Sequence, residues 1–369
     1  MSFLEALTNL SSEGRIFFQK MGSDDINLSY LLLSPTHAFS SIASSARAVI
    51  LAGGTMSPFD DYTAHLFPNL LASKITTVSC GHVIPPSNLC VWTLAGTRPK
   101  GSAGGVDFEF SFQKRNDRGM LSQLGLALIN ICSVVPDGVV VFFPSYNYLD
   151  EVIAAWETPG GADGTIWNRL RAKKEVFKET RGASSDEILE EYSRAILGDP
   201  SKPQAASRGA LLLSVVGGKM SEGINFSDRL GRCVVVVGLP YPNINSPEWK
   251  ARTQYIESAT LSRLSEAHAG PGAQMSRDEM VSASKQAARD FYENACMRAV
   301  NQSIGRAIRH RNDYAAIVLV DRRYGTERIR QKLPGWIRGG MASDSHEKGV
   351  PQLMGALNGF FRRKKSAPS

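Results

Sequence analysis

The sequence predicts an α/β protein built on a doubly wound, mainly parallel β-sheet with helices on both faces. Two observations carry this prediction. Short runs rich in β-branched residues alternate along the chain with longer segments of helical periodicity. One of the short runs, residues 139–143 (VVVFF), is apolar at every position, which is typical of a strand that helices cover on both faces.

The predicted strands share a short length and many β-branched residues, and they span residues 30–33, 48–52, 76–79, 91–94, 139–143, 210–216, 233–239 and 315–320. The predicted helices share apolar residues spaced three and four apart, and they span residues 121–132, 148–156, 185–197, 249–268 and 278–310. Segments 97–105, 198–207 and 269–276 are rich in Gly, Ser, Pro or Ala, which predicts surface connections.

The length of 369 residues suffices for about two to three domains. We place a boundary near residues 65–80, which divides the chain into residues 1–70, residues 71–360 and a tail at 361–369. The tail contains the basic run 362–365 (RRKK) and is predicted to be solvated and disordered. A nuclear-import signal is the second interpretation of this run.

Composition gives broad limits on function. The chain has 42 Lys and Arg against 35 Asp and Glu, a net charge of +7 that permits an anionic partner without proving one. The 5 cysteines are scattered rather than closely spaced, which argues against zinc or iron–sulfur cages and fits a reducing compartment. The apolar runs are too short to span a bilayer, and the amino terminus has no signal-peptide pattern.

The strongest chemical signal is the basic segment around residues 301–311. On the helix predicted over 278–310, Gln302, Arg306 and Arg309 are at i, i+4 and i+7 and project from one face. The opposite face would be apolar and would pack on the sheet, through Val300, Ile304, Ala307 and Ile308. Two guanidinium groups on one rigid face can bind phosphoryl oxygens. The alternative is a solvated basic face, and the Gln, the Gly and the two Arg in register beside an apolar face argue against it.

A second signal is residues 209–226, where an apolar strand runs into a glycine-rich turn. Glycines at the carboxyl end of a strand let the backbone approach phosphate closely. Lys219 could meet a nucleic-acid phosphate, and the amide of Asn225 could bind a sugar hydroxyl. An ordinary tight turn between strand and helix is an equal alternative for this segment taken alone.

Two further strands end in polar or small residues. Ser145 and Tyr146 follow the strand at 139–143, where Ser145 could cap a helix or contact a phosphate beside a ring that stacks on bases. Residues 51–58, taken alone, indicate only a turn.

Residues 266–268 (EAH) resemble the end of a DEAH box but close a helix, so we assign them no magnesium site. No G-x-x-x-x-G-K-[ST] string occurs, so the sequence lacks the phosphate loop of a self-sufficient NTPase.

Several strings resemble those of one family. GGTMSP (53–58), FFPSY (142–146), GKMSEGINF (218–226) and QSIGRAIR (302–309) are similar to motifs III, IV, V and VI of the XPD-like helicases. SCGHVIPP (79–86), FQKR (112–115), LGRC (230–233) and LPGWIR (333–338) resemble its chromosome-loss, or ChlR-type, branch. The resemblance runs from about residue 1 to about residue 363.

The resemblance implies RecA-like motor domains that trap ATP between them. Residues 1–70 would be the carboxyl-terminal remnant of motor domain 1, residues 71–360 motor domain 2, and residues 361–369 a basic tail. The chain would then be the carboxyl-terminal motor portion of an ATP-dependent 5′→3′ DNA helicase, acting in DNA repair and sister-chromatid cohesion in the nucleus. By itself it would be inactive, because the Walker A loop and the DEAH box would lie upstream.

Roles carry over by position in the matching motifs. Arg306 and Arg309 would be catalytic arginine fingers that Gln302 orders. The nucleotide-linked residues would be Glu222, Gly223, Asn225, Gly54 and Thr55, and Asn225 departs from the aspartate of many members. The nucleic-acid contacts would be Ser145, Tyr146, Lys219 and Ser57.

The cofactors implied are ATP and Mg²⁺, bound mainly by an upstream half, and a 4Fe–4S cluster expected only in that half. No metal site is predicted in this chain. The expected partners are single-stranded or forked DNA, the amino-terminal motor domain and cohesion or replication proteins, with no membrane. Two alternatives stay open: a non-catalytic nucleic-acid-binding module and a helicase that acts on RNA.

Overall fold

The computed structural model describes residues 3–8, 13–20, 26–54, 56–68, 70–81, 84–159, 164–182, 185–198, 208–220, 226–269 and 275–366. The chain divides into two compact units. The first comprises Met1–Val78 and Tyr241–Cys296, and the second comprises Ser79–Pro240 and Met297–Ser369.

The described strands are β1 (Gly14–Lys20), β2 (Ile26–Leu32), β3 (Leu89–Leu94), β4 (Gly138–Phe143), β5 (Glu175–Lys178), β6 (Ala210–Val215), β7 (Cys233–Val237) and β8 (Ala315–Val320). The described helices are α1 (Phe3–Ala6), α2 (Thr36–Ser45), α3 (Asp60–Leu66), α4 (Arg118–Val134), α5 (Tyr146–Glu157), α6 (Ile166–Lys173), α7 (Ser185–Leu197), α8 (Pro247–Ala267), α9 (Arg277–Ile304), α10 (Glu327–Arg330), α11 (Gly335–Gly340) and α12 (Val350–Ser366). Short 3₁₀ turns span Ala72–Lys74, Pro86–Asn88, Asp228–Gly231, Arg322–Gly325 and Ser345–Glu347.

The second unit is built on a six-stranded sheet in the order β3-β8-β7-β4-β6-β5, in which every neighbouring pair is parallel. Strands β4, β6, β7 and β8 are buried at every position. Parallel strands read as continuous apolar runs because helices cover both faces. The predicted doubly wound α/β fold is therefore confirmed, and so are the predicted strands at 91–94, 139–143, 210–216, 233–239 and 315–320.

One face of this sheet packs on α4, α5, α6 and α12. Val139, Val141 and Phe143 of β4 lie in that core, and the Trp156 ring of α5 meets the Phe143 ring edge-on at 6.3 Å. The opposite face carries the alternate residues of the same strands. There the Phe142 ring lies 6.3 Å from the Phe226 ring, which in turn meets the Tyr192 ring of α7.

The first unit contains the β1–β2 hairpin, α2, α3, α8 and residues 277–296 of α9. Its two stretches of chain are joined by side-chain contacts. The Tyr255 hydroxyl donates to Glu13 Oε1 at 3.0 Å, and Asn294 Nδ2 donates to Asp61 Oδ1 at 2.9 Å. Residues 241–296, which the sequence placed with the second domain, thus group with the first 78 residues. The assignment of the units to two motor domains stays a prediction.

Two predicted strands of the first 79 residues are wrong. Residues 48–52 and 76–79 have extended or irregular backbone and belong to no β-ladder among the described residues. The predicted strand at 30–33 corresponds to β2, which pairs with β1. The side chain of Ile50 is 89% exposed, so the apolar run at 48–52 lacks the neighbour that would make it a strand.

The predicted disordered tail is also wrong over residues 361–366, and residues 367–369 lie outside the described residues. Helix α12 continues to Ser366, and the rings of Phe360 and Phe361 are buried against Tyr314. Lys364 Nζ donates to Asn88 Oδ1 at 2.6 Å, which fixes part of the basic run.

Of the predicted surface connections, residues 97–105 contain no helix and no strand. Parts of the other two, 199–207 and 270–274, lie outside the described residues. Among the helices described, none is both long enough and apolar enough to cross a membrane.

Candidate nucleotide and nucleic-acid site

The carboxyl ends of the six parallel strands meet at one edge of the sheet of the second unit. Ser145 and Tyr146 follow β4, Glu179 follows β5, and the turn Gly217–Lys219 follows β6. Strands β4, β6 and β5 are neighbours in the sheet, so these three segments are brought side by side. Open α/β sheets bind ligands at this edge.

The centre of this arrangement is the carboxylate of Glu179, which is 3% exposed. Its Oε1 accepts from the Tyr146 hydroxyl at 2.7 Å and from the Met220 N–H at 3.3 Å. Its Oε2 accepts from the Ser214 hydroxyl at 2.6 Å and from the Val215 N–H at 3.0 Å. One buried side chain therefore joins the start of α5, the end of β6 and the glycine turn.

The glycine turn, residues Gly217–Lys219, needs both of its glycines. Gly217 has φ +72°, a left-handed conformation that glycine adopts without strain. A Cβ on Gly218 would lie 2.6 Å from Glu179 Oε1 and 2.8 Å from the Tyr146 hydroxyl oxygen. The turn can approach the Glu179 carboxylate only because position 218 has no side chain.

The hydroxyl of Tyr146 stays protonated at ordinary pH. Desolvation, its hydrogen bond to Glu179 and the negative charge of that carboxylate raise the pKa of Tyr146 to about 12, while the backbone of Lys219 and the charge of Arg181 oppose the rise. The Arg181 guanidinium lies 5.5 Å from the centre of the Tyr146 ring. Lys219 itself is exposed, as a contact to a nucleic-acid backbone requires.

Ser145 is the N-cap of α5, because its hydroxyl accepts from the Tyr148 N–H at 3.2 Å. The capping interpretation of Ser145 is confirmed, and its contact with a nucleic-acid strand stays a prediction. Tyr148 is 1% exposed and its hydroxyl donates to the Arg115 carbonyl at 2.8 Å. The Tyr148 ring is therefore part of the core and is not available to stack on a base.

The predicted helix over 278–310 is wrong at its carboxyl end, because α9 ends at Ile304. Gln302 lies exposed in its last turn, whereas Arg306 and Arg309 lie beyond the helix. The apolar part of the prediction is confirmed, since Val300, Ile304, Ala307 and Ile308 are all buried. The arginines are thus presented by a turn, residues 305–310, that buried neighbours hold in place.

Two features account for the end of α9. Gly305 follows the last helical residue and is a poor helix former. The Arg306 carbonyl then accepts from the Phe226 N–H at 3.2 Å, so it takes a partner outside the helix. Partial burial and the positive charge of Arg306 lower the pKa of Arg309, so the fields of the two guanidinium groups reach each other. Such a pair favours an anion between or beside them.

Several predicted site residues are not placed by these contacts. Glu222, Gly223, Asn225 and Thr55 lie outside the described residues. Gly54 and Ser57 belong to the first unit, in a stretch without helix or strand, and the space around Gly54 is open. Their predicted roles stay predictions.

The carboxylates of Asp228 and Asp313 and the ring of His310 bring their ligand atoms within 4.8 Å of one another. These groups already have partners of other kinds. Asp313 Oδ1 accepts from Arg232 Nη1 at 2.9 Å, and His310 Nε2 lies 2.9 Å from Asp228 Oδ1. We therefore interpret Asp228, His310 and Asp313 as a cluster held by hydrogen bonds and an ion pair, and we assign it no metal.

Sequence reasoning missed Glu179, because it missed β5. The strand has only four residues, EVFK, and two of them are charged. The sequence signal for this strand is weak: an apolar pair, Val176 and Phe177, lies two residues before Glu179.

Comparisons with known proteins identify the family and agree with the fold. A family model described as the helicase C-terminal domain matches residues 128–340. A Neurospora crassa protein named ATP-dependent DNA helicase chl1 is 54% identical over 414 residues, which covers 98% of this chain and 39% of that protein. A protein of the same name from Aspergillus clavatus is 48% identical over 369 residues, covering 99% of this chain and 47% of that protein.

The chain therefore spans less than half the length of these relatives. Among solved structures, that of an XPD helicase is similar, with a TM-score of 0.50 and 20% identity over 83% of this chain and 44% of that chain. At this identity the likeness concerns the fold, and it matches the parallel α/β architecture described above.

Proposed function

The chain belongs to the helicase C-terminal domain family, and from this premise we propose that it is the carboxyl-terminal motor portion of an ATP-dependent DNA helicase that moves 5′→3′. The names of the two relatives support the activity, and the motifs at 142–146, 218–226 and 302–309 support the XPD-like family. The direction of movement rests on the resemblance to XPD-like helicases.

The observation that carries the proposal is the hydrogen bond from the Phe226 N–H to the Arg306 carbonyl, 3.2 Å long. Phe226 is the last residue of the 218–226 motif, and Arg306 lies in the arginine-bearing turn, residues 305–310. A shift of this turn toward a nucleotide would therefore act directly on Phe226. A motor needs such a connection between phosphate sensing and strand binding.

The arginine pair suits the phosphate end of ATP. Arg306 and Arg309 lie close enough for one to lower the pKa of the other, and bringing a polyphosphate beside them relieves this repulsion. Their positive charge would stabilise the negative charge that develops on the transferred phosphoryl group. Mg²⁺ and most of the nucleotide contacts would come from the amino-terminal motor domain of the longer protein.

The strand-binding surface would lie at the carboxyl edge of the sheet. Lys219 supplies an exposed positive charge, and the Tyr146 hydroxyl is fixed by its hydrogen bond to Glu179. Single-stranded or forked DNA would contact both through its backbone. Contacts of this kind read phosphates more than bases, so an RNA strand is the alternative substrate that the experiment below has to separate.

The test uses a chimera in which this chain replaces the equivalent part of the 54% identical Neurospora crassa relative. We expect DNA-stimulated ATP hydrolysis and unwinding by the chimera, and we expect Arg306→Ala to reduce turnover by about 10³-fold or more while sparing strand binding. Arg311→Ala is the matched control, because Arg311 is an exposed arginine just past the same turn.

Three results would contradict the proposal. Equal losses for Arg306→Ala and Arg311→Ala would show that only general charge matters. Equal loss of strand binding and hydrolysis would make Arg306 structural. Stimulation by RNA and not by DNA would assign the activity to RNA.

We also propose that the protein works in the nucleus, in DNA repair and sister-chromatid cohesion, with cohesion or replication proteins as partners. The resemblance to the chromosome-loss branch supports this role. The exposed guanidinium groups of Arg362 and Arg363 at the end of α12 are compatible with recognition by an import receptor.

A further inference from the structure

A base-stacking ring is expected at the carboxyl edge, but neither Tyr146 nor Tyr148, the two tyrosines in the first turn of α5, is well suited to the task. The Tyr148 ring is 1% exposed, and the Tyr146 hydroxyl points at a buried carboxylate. A ring that stacks on bases must present a face to solvent. Among the described residues of this edge, the exposed aromatic ring belongs to Phe112.

Phe112 is 80% exposed, which is unusual for a phenyl ring. It lies in the segment 107–117 that crosses the ends of β3 and β8. The Phe108 N–H donates to the Ala95 carbonyl at 2.8 Å, and the Phe110 N–H donates to Asp321 Oδ2 at 2.9 Å. The segment is therefore fastened on both sides of the exposed ring, since Tyr148 holds the Arg115 carbonyl at 2.8 Å.

The ring of Phe112 is supported from one side by a cation. The Arg115 guanidinium lies 5.0 Å from the centre of the Phe112 ring and 5.5 Å from the centre of the Tyr148 ring. Arg115 thus links the exposed ring to the buried ring of Tyr148 in the first turn of α5, two residues after Tyr146. Such cation–π contacts fix the ring while leaving its outer surface open.

The surroundings of Phe112 favour a polyanion. Residues 112–118 contain Lys114, Arg115 and Arg118 against one acid, Asp117, and Asp117 is engaged as the N-cap of α4 through the Met120 N–H at 2.6 Å. The two other acids of the segment 107–117 are also paired: Glu109 lies 2.9 Å from Lys114, and both Asp107 and Glu109 lie 3.4 Å from Arg322. Arg115 and the exposed Arg118 leave a positive field beside the ring.

We propose that Phe112 is a stacking platform for a base of single-stranded nucleic acid, with Arg115 fixing the ring and Arg118 facing the adjacent phosphate. This inference rests on the proposed nucleic-acid function and adds to it a base contact. An aromatic ring stacks on any base and a cation reads any phosphate, so the platform would be indifferent to sequence.

The experiment measures binding of the full 369-residue chain to two fluorescent probes by anisotropy at several salt concentrations. One probe is a 20-nucleotide oligothymidine, and the other is a strand of the same length that carries phosphates and sugars without bases. We expect Phe112→Ala to weaken binding of oligothymidine by about 5- to 150-fold and to leave binding of the abasic strand unchanged. Phe112→Trp should keep the affinity of the original chain, because its ring also stacks.

Two comparison variants sharpen the result. Lys219→Ala should weaken both probes and lower the slope of log affinity against log salt by about 0.7, whereas Phe112→Ala should leave that slope unchanged. Leu197→Ala removes another exposed apolar side chain, 47% exposed, at the end of α7, and should change neither probe. Its neighbour Ile196 accepts a hydrogen bond from Arg229, which pairs with Asp137 before β4, so Leu197 lies toward the amino edge of the sheet.

Equal affinity of the original chain and Phe112→Ala for oligothymidine would overturn the platform alone. Equal losses for both probes would also overturn it, because the ring would then support the fold or another partner. Failure of the original chain to bind either probe, at low salt, would overturn the proposed strand binding together with the platform.

Discussion

Glu179 shows how a single buried carboxylate can order a binding edge. Its two oxygens accept four hydrogen bonds, from Tyr146, Met220, Ser214 and Val215. A hydrogen bond to a charged acceptor contributes about 1.5–3 kcal/mol, so the network offsets the cost of burying the charge. Both segments predicted to touch a nucleic-acid strand, at Tyr146 and at Lys219, are thereby fixed to the same atoms.

Glu179→Gln tests this network without changing its shape. An amide nitrogen in place of either oxygen faces two donors. A hydroxyl can turn to accept from it, but the N–H of Val215 or Met220 cannot, so one backbone donor loses its partner. We expect a loss of about 1–3 kcal/mol in the free energy of unfolding, measured in urea, and weaker binding of oligothymidine.

The matched control for Glu179→Gln is Tyr146→Phe, which removes one donor and leaves the carboxylate with its other three. Its cost in stability should be smaller, about 1 kcal/mol. A free energy of unfolding for Glu179→Gln equal to that of the original chain would show that the four contacts contribute nothing to order at this edge.

At the scale of elements, the strands that are buried along their whole length were predicted correctly from the sequence. Strands β4, β6, β7 and β8 are uniformly apolar because both faces are covered, and the sequence pattern alone identified them. Strand β5 was missed because Glu175 and Lys178 occupy two of its four positions. Glu179 directly follows β5, so the residue at the centre of the candidate site was missed together with the strand.

The end of α9 was mispredicted for a different physical reason. Apolar residues continue at helical spacing through Ile308, but tertiary contacts bury them without a helix. The bond between the Phe226 N–H and the Arg306 carbonyl is formed by residues 80 positions apart in the sequence, a contact that periodicity does not encode. Arg306 and Arg309 were correctly predicted to lie outside the core, but a turn presents them instead of the predicted helix.

The end of α12 was predicted as a disordered tail because the basic run 362–365 was given more weight than the helical spacing of the apolar residues before it. Leu353, Leu357, Phe360 and Phe361 recur at helical intervals and are buried. Phe360 is 2% exposed, and its ring lies 5.0 Å from that of Phe361. The carboxyl-terminal half of α12 is therefore a stabilising part of the second unit, and the loss of stability on removing a buried ring can be predicted.

Phe360→Ala should lower the free energy of unfolding by about 3–5 kcal/mol, because it removes a buried ring and leaves a cavity. Arg362→Ala, in the same turn but exposed, should change it by less than about 0.5 kcal/mol. Tryptophan fluorescence in urea reports mainly on the second unit, which contains Trp92, Trp156, Trp167 and Trp336. Similar free energies of unfolding for the two variants would show that the end of α12 does not stabilise the second unit, as the prediction of a disordered tail requires.

At the scale of the whole molecule, the units are not consecutive halves of the chain. Residues 241–296 leave the second unit after β7 and return before β8, with α8 and most of α9 in the first unit. Strands β7 and β8 are nonetheless neighbours in one sheet. Folding of the second unit therefore requires a long connection to close, whose entropic cost grows only slowly with its length.

The last prediction concerns the chain as it stands, 369 residues long. It offers two arginines for phosphate but no G-x-x-x-x-G-K-[ST] loop to cradle the nucleotide. Arginine fingers stabilise charge on a phosphoryl group that other residues must position, so they cannot support turnover alone. We expect no ATP hydrolysis above background in a coupled assay, with or without oligothymidine, while oligothymidine still binds. Hydrolysis that single-stranded DNA stimulates and that Arg306→Ala abolishes would mean that these residues form a complete nucleotide site.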